Sequence, residues 1–111
     1  MSSRDDQQKL RVLTEDAERG IARAQRLLAL RFLRGRGVPR DLGLGLEWLR
    51  RAAEQGHPQA QRDLGEFLER GEGLPRNDAE ARRLYRLAAH QGDPIALNHL
   101  RRLGLAAGET G

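Results

Sequence analysis

The hydroxyl nucleophiles of this 111-residue chain are Ser2, Ser3, Thr14 and Thr110, three of them in the terminal stretches, with no base set beside them in a nucleophile–base pattern. The three imidazoles, His57, His90 and His99, form no i, i+4 pair of the kind that grips a metal from one helix face. His57 stands where a helix should begin and His90 near where one should end, both structural places. The neighbouring carboxylates Asp5/Asp6 and Glu15/Asp16 read as solvated helix faces, not as an acid–base pair. Gly35-Arg36-Gly37 and Gly71-Glu72-Gly73 lie between helices with no strand before them, so neither is a phosphate cradle. Catalysis, a metal and a cofactor are therefore not expected. What remains is arginine: nineteen of the twenty basic residues, with Lys9 the single lysine. Guanidinium forks are suited to carboxylates, although the skew itself reads as compositional habit more than as a binding site.

These side chains need elements to hold them, and the composition limits which. Apolar residues make up 38% and aromatics 4%, so one thick aromatic core is not expected. Charged residues make up 32%, but the signs interleave to a net charge of +4, as on a solvated helical surface. The length suits a single domain, residues 1–111. No disulfide is available because cysteine is absent, and no apolar run approaches the ~20 residues that span a membrane. The start "MSSRDDQQKLRVL" lacks a basic segment followed by an apolar one, so a cytoplasmic protein is expected, with no membrane partner. Nucleic acid is disfavoured as well. Phe32, Trp48, Phe67 and Tyr85 fall on apolar stripes and should be core, not stacking platforms, while Glu66, Glu69, Glu72, Asp78 and Glu80 interrupt the arginines.

A repeat organises the rest. Shifting the sequence by 36 positions aligns residues 24–58 with 60–94 without a gap. The matches include Ala24/Ala60, Gln25/Gln61, Arg26/Arg62, Leu28/Leu64, Gly35/Gly71, Pro39/Pro75, Ala52/Ala88, Ala53/Ala89, Gln55/Gln91, Gly56/Gly92 and Pro58/Pro94. A period of this size marks a solenoid of supersecondary units. Each unit reads as two helices. Helix A of the second copy spans Pro58 to Arg70, with His57 as N-cap (Asp93 in the next copy) and an apolar stripe of Leu64, Phe67 and Leu68. Gly71 closes it in a left-handed conformation and Pro75 bars continuation. Helix B starts at an Asn77/Glu80 capping pair, carries Ala81, Leu84, Tyr85, Ala88 and Ala89 on one side, and ends at Gly92. The alanines let the two helices approach closely, with Trp48 or Leu84 filling the remaining space.

This grammar resembles the Sel-one-like repeat family, relatives of the tetratricopeptide repeats. The first copy shows it as Ala24, Leu28-Ala29, Phe32, Gly35-Arg36-Gly37-Val38, Asp41 and Trp48-Leu49-Arg50-Arg51-Ala52-Ala53-Glu54-Gln55-Gly56. The second shows Ala60, Leu64-Gly65, Leu68, Gly71-Glu72-Gly73-Leu74, Asn77/Asp78 and Leu84-Tyr85-Arg86-Leu87-Ala88-Ala89-His90-Gln91-Gly92. Departures from the pattern, Ala29 for Gly, Leu49 for Tyr, Leu68 for an aromatic and Leu84 for Trp, preserve volume or apolarity. The resemblance implies an all-α, right-handed α-α superhelix of about six antiparallel helices. A capping helix would cover 4–20, repeats 22–56 and 58–92, a half-repeat 94–103 and a tail 104–111.

By the same resemblance, helix A presents a concave groove to a protein or peptide partner. The groove-facing positions become Arg26, Leu30 and Leu33, then Arg62, Glu66 and Glu69, then Asn98 and Arg102, flanked by Arg23 and Gln59. Arg26, Arg62, Asn98 and Arg102 would be polar anchors for an extended or acidic segment, and Leu30/Leu33 an apolar patch. Against this stands a plain alternative, in which the arginines pair with Asp63, Glu66 and Glu69 on a wet surface. The alternatives are binding of nucleic acid or another anionic ligand by the arginine-rich surface and, lower still, a small-molecule or hydrolytic site, which the missing cysteines and nucleophiles disfavour. At the C-terminal end Ile95, Leu97, Leu100, Leu103 and Leu105 have no helix B to cover them, so the "LGLAAGETG" tail is expected to fold back as a lid, with self-association as the alternative. Leu42, Leu46 and Leu49 are expected to seat Leu10, Leu13 and Ala17 of the first helix.

Overall fold

A computed structural model describes residues 3–104. The described residues form six α-helices and no strand: α1 (Ser3–Glu18), α2 (Ala22–Arg34), α3 (Leu42–Glu54), α4 (Pro58–Arg70), α5 (Asp78–His90) and α6 (Pro94–Arg102). None is long and apolar enough to cross a membrane. Contacts divide the chain, expected as one domain, into two compact units, Met1–Gln55 with α1 to α3 and Gly56–Gly111 with α4 to α6.

Each unit is built on a helical hairpin, α2 with α3 in the first and α4 with α5 in the second. The turn that closes it is dictated by one glycine. Gly35 (φ 67°) and Gly71 (φ 67°) take the left-handed conformation, and a Cβ there would also come within 3.1 Å of the Arg40 or Arg76 Cβ. The following amides fold back, Arg36 N–H to the Arg31 carbonyl at 2.9 Å and Glu72 N–H to that of Phe67 at 3.1 Å. The next helix's N-cap then ties the hairpin shut, Asp41 N–H to the Phe32 carbonyl and Asn77 N–H to that of Leu68, each at 2.9 Å. Asn77 Oδ1 caps the Glu80 amide as expected, while the Glu80 carboxylate pairs with Arg83. Pro58 and Pro94 open α4 and α6 behind the side-chain caps His57 and Asp93. At the matching place before α2, Ile21 has the same backbone but nothing with which to cap.

Between the hairpin helices the two copies solve one packing problem in opposite ways. In the second, Gly65 lies under Tyr85, and a Cβ at Gly65 would meet the ring at 2.7 Å. In the first, the corresponding pair is Ala29 and Leu49, and the freed space is taken by Leu33, whose Cδ2 would lie 2.7 Å from a Cβ at Gly45. Leu28 and Leu64 are the matching fully buried leucines, each stabilising its hairpin by roughly 2 kcal/mol. Tyr85 is wholly buried, but Phe32, Trp48 and Phe67 are only half-buried, with the Arg51 guanidinium over the Trp48 ring at 4.6 Å and that of Arg70 over Phe67 at 5.1 Å.

The outer helices complete the units. Helix α1 has α2 as its main partner, with Ala17 joining Ala24 and Leu28 and with Leu10, Leu13, Phe32 and Trp48 packed around them. The expected seat on Leu42, Leu46 and Leu49 is not the principal one: α1 pairs chiefly with α2, and the α3 residue in its cluster is Trp48. A buried amide braces this junction: Gln25 donates to the Ala17 carbonyl at 3.1 Å and accepts from Gln55 at 2.7 Å. Its counterpart Gln61 accepts from Gln91 at 3.1 Å. Helix α6 packs on α5, burying Ala96 and Leu100 and leaving Ile95 and Leu103 exposed. The lid expected of the tail lies outside the described residues beyond Gly104.

Candidate interaction site

In the second unit the acids of α4 are paired internally, although Arg86 buries two guanidinium nitrogens, Nε and Nη2, without a hydrogen-bond partner. Glu69 of α4 accepts the fork of Arg102 through both oxygens at 2.8 Å, and the Tyr85 hydroxyl donates to the same carboxylate at 2.7 Å. Arg102 chiefly holds the Glu69 carboxyl well below the usual carboxylate range, at about 2; burial opposes the shift and Tyr85 adds to it. Burial first, then the Glu69 bond, pushes the Tyr85 phenol far above its ordinary value. His99 stacks on Tyr85 at 4.6 Å. Its Nδ1 faces an Arg102 nitrogen at 3.0 Å, and since a guanidinium can only donate, Nδ1 accepts and Nε2–H donates to Glu66 at 2.8 Å. Arg62 bonds Asp63 at 2.7 Å and Asp93 at 3.2 Å with 13% of its side chain exposed. Burial works against its charge, but the Asp93 bond and the charges of Asp63, Asp93 and Glu66 overcome it, so its pKa is raised. A polar recess of about 430 Å³ lies over this network, lined by Glu66, Glu69, Arg70, Arg76, His99 and Arg102.

The first unit pairs Arg19 with Asp16 and Arg51 with Glu47 but carries an excess of cations. Met1–Gln55 holds twelve basic and eight acidic residues, whereas Gly56–Gly111 holds eight of each, so the whole net charge of +4 belongs to the first unit. From Arg19 to Arg40 there are seven arginines and no acid. Where α4 and its turn carry Asp63, Glu66, Glu69 and Glu72, the corresponding residues here are Leu27, Leu30, Leu33 and Arg36. A pocket of about 320 Å³ opens here, floored by Leu13, Leu27 and Leu30 and rimmed by Lys9, Arg31, Arg34 and Arg36. Among the described residues none of these four cations has a carboxylate partner, and none of the described residues groups three His, Asp or Glu side chains as a metal would require.

The expected site residues fall out accordingly. Arg23, Gln59 and Asn98 are exposed, and Arg26 and Leu30 half-buried, with Leu30 in the pocket floor. Leu33 is buried over Gly45 and adds nothing to a surface patch, because Gly45, with no Cβ, leaves the space that its side chain fills. Arg62, Glu66, Glu69 and Arg102 are each engaged by a neighbour in their own unit, Arg62 by Asp63 and Asp93, Glu66 by His99, and Glu69 and Arg102 by each other. Lys9, Leu13, Leu27, Arg31, Arg34 and Arg36 are not among the groove positions that the repeat register predicts. Glu66, Glu69, Glu72, Asp78 and Glu80, which interrupt the arginines, belong to the second copy, and the acid-free run 19–40 was the available signal.

Two helical hairpins of equal length, closed by the same glycine turn and started by the same proline, define a tetratricopeptide-like helical-repeat protein. Residues 22–57 and 58–93 each match the Sel1 repeat, and the chain belongs to the Sel1 repeat family, whose members are generally protein–protein interaction modules and typically non-enzymatic. Among solved structures, it is similar to a protective antigen present in uropathogenic Escherichia coli strains displaying an SLR fold, at 37% identity and TM-score 0.81 over 88% of this chain. The chain spans 22% of the length of that antigen. A Sel1 repeat protein from Oxalobacter formigenes is similar at 34% identity and TM-score 0.82, over 88% of this chain and 77% of that one. Helicobacter pylori cysteine rich protein B shares the fold, with 21% identity and TM-score 0.81 over 86% and 71% of the two chains. A search of curated proteins found no match. The all-α, six-helix expectation agrees with these helical-solenoid neighbours.

Proposed function

We propose that this chain is a non-catalytic adaptor module that captures a peptide or protein partner through its helix-A side chains, with the first unit attracting an acidic segment. The observation that carries this reading is the exchange between copies: acids on α4 find arginine or histidine partners inside their own unit, while Arg31, Arg34 and Arg36, beside Leu27 and Leu30, have no carboxylate partner among the described residues. Exposed Arg23 and Gln59 mark the helix-A side in the two units. Charge-assisted pairing supplies orientation and fast capture more than raw affinity, which suits a module that assembles partners.

A photo-crosslinker placed in turn at Arg23, Gln59, Arg50 and Arg83 tests it. Arg50 and Arg83 are exposed helix-B positions. Cross-linked protein is expected at Arg23 and Gln59 and not at Arg50 and Arg83. Stronger labelling at the helix-B positions, or recovery of nucleic acid in place of protein, refutes the reading.

A further inference from the structure

We propose that the pocket of the first unit is the seat of an acidic peptide segment carrying one leucine-sized apolar anchor. The anchor enters between Leu13, Leu27 and Leu30, and flanking carboxylates pair with Arg31, Arg34 and Arg36. This rests on the reading of the chain as a partner-binding module and names the class of its partner. Three observations converge on it. Leu27, Leu30, Arg31 and Arg34 recur at i, i+3, i+4 and i+7, so α2 offers them as one stripe, and α1 brings Lys9 and Leu13 from across the pocket at i and i+4. Gly37 (φ 80°) leaves space for the rim: a Cβ there would lie 3.2 Å from Arg31 Nη1. The volume of about 320 Å³ sits at the small end of the roughly 300–1,000 Å³ typical of ligand pockets, enough for one side chain and its neighbours but not a helix.

The occupant follows from what the pocket lacks. The second copy places Asp63, Glu66, Glu69 and Glu72 at the positions of Leu27, Leu30, Leu33 and Arg36, and its own acids meet its own bases. In the first copy Arg31, Arg34 and Arg36 have no carboxylate partner among the described residues, so a partner's acids can meet them. A nucleic-acid backbone would satisfy the arginines but leave three leucines wet. A neutral apolar peptide would fill the floor and strand four cations beside it. An acidic segment with a single apolar side chain satisfies both parts.

The probe is a dye-labelled nonapeptide with a central leucine flanked by aspartate and glutamate, titrated with the full chain and followed by fluorescence anisotropy. Saturable binding is expected, weakened about tenfold when Arg34→Ala and Arg36→Ala are combined, since two exposed forked pairs at about half a decade each make about one decade. Both arginines are exposed, so circular dichroism should be unchanged. Replacing the peptide's leucine with serine should weaken binding about fivefold or more, a control that leaves the protein untouched. Arg83→Ala, in the other unit, should leave affinity within about twofold. The proposal is overturned if the Arg34/Arg36 pair leaves affinity unchanged, if the serine peptide binds equally, or if a single-stranded oligonucleotide of equal charge binds as tightly with the same variant sensitivity. Should it fail while cross-links at Arg23 and Gln59 persist, the pocket assignment falls and the adaptor reading stands. Loss of those cross-links with peptide binding intact removes the helix-A adaptor reading and leaves the pocket assignment in place.

Discussion

Glu69 joins three helices of the second unit, because it lies on α4 and its carboxylate is held by Tyr85 of α5 and Arg102 of α6. Its pKa is lowered from 4.5 to about 2, so the folded state prefers the charged form. For a carboxyl shifted downward, the stabilisation is complete above the unfolded value near 4.5 and disappears as pH falls through about 2. A gap of roughly 2.5 units at about 1.36 kcal/mol each sets a ceiling of about 3 kcal/mol. The Glu69 side chain is 23% exposed and that of Arg102 50%, so solvent screening reduces this to about 1–2 kcal/mol. Urea unfolding of the native chain and Glu69→Gln, followed by far-ultraviolet circular dichroism from pH 7 to pH 2, measures it. The variant should be less stable by about 1–2 kcal/mol at pH 7, with the two curves converging between pH 4.5 and 2. The remaining carboxylates titrate in both proteins and cancel in the difference. A gap that stays constant down to pH 2, or widens, refutes the assignment.

Other perturbations probe other joints. Ile21→Asp should supply the missing cap to α2, since Ile21 shares the backbone conformation of Asp93 and is 47% exposed; thermal melts should show a gain of about 0.5–1 kcal/mol, and no gain would contradict the capping argument. Gly65→Ala drives a methyl into the Tyr85 ring and should destabilise by about 1–3 kcal/mol, a loss that shrinks when Tyr85→Leu restores the Ala29/Leu49 arrangement; strict additivity in the double-mutant cycle would show the two sites to be uncoupled. Gln25→Leu removes the donor to the Ala17 carbonyl and the acceptor of Gln55, so denaturant midpoints should report a loss of about 1–3 kcal/mol. Retention of full stability would mean that this buried amide does not brace α1 on α2.

The helices were legible because their punctuation is chemical. Left-handed glycine, N-cap and proline each have one cheap backbone solution, and all recur at an interval of 36, so α4 was predicted with the bounds it has. Side-chain partners were less legible, because they depend on which surplus volume a neighbour leaves. Leu33 looks like a groove residue by register, yet Gly45, where the second copy has Ala81, leaves the space that its side chain fills. Gln25 and Gln61 were visible as identities, but the carbonyl and amide that they serve lie on other helices. Charge was misread for a different reason: averaging acids over both copies hid the stretch 19–40, where none exists.

The exchange of Leu27, Leu30 and Leu33 for Asp63, Glu66 and Glu69 has a consequence for how such chains lengthen. Duplicating the second hairpin adds six acids and six bases, with Glu66 and Glu69 paired to the helix that follows in the place of α6. Duplicating the first adds eight bases against three acids. Otherwise matching copies thus let an array change length and charge separately, by which copy is multiplied.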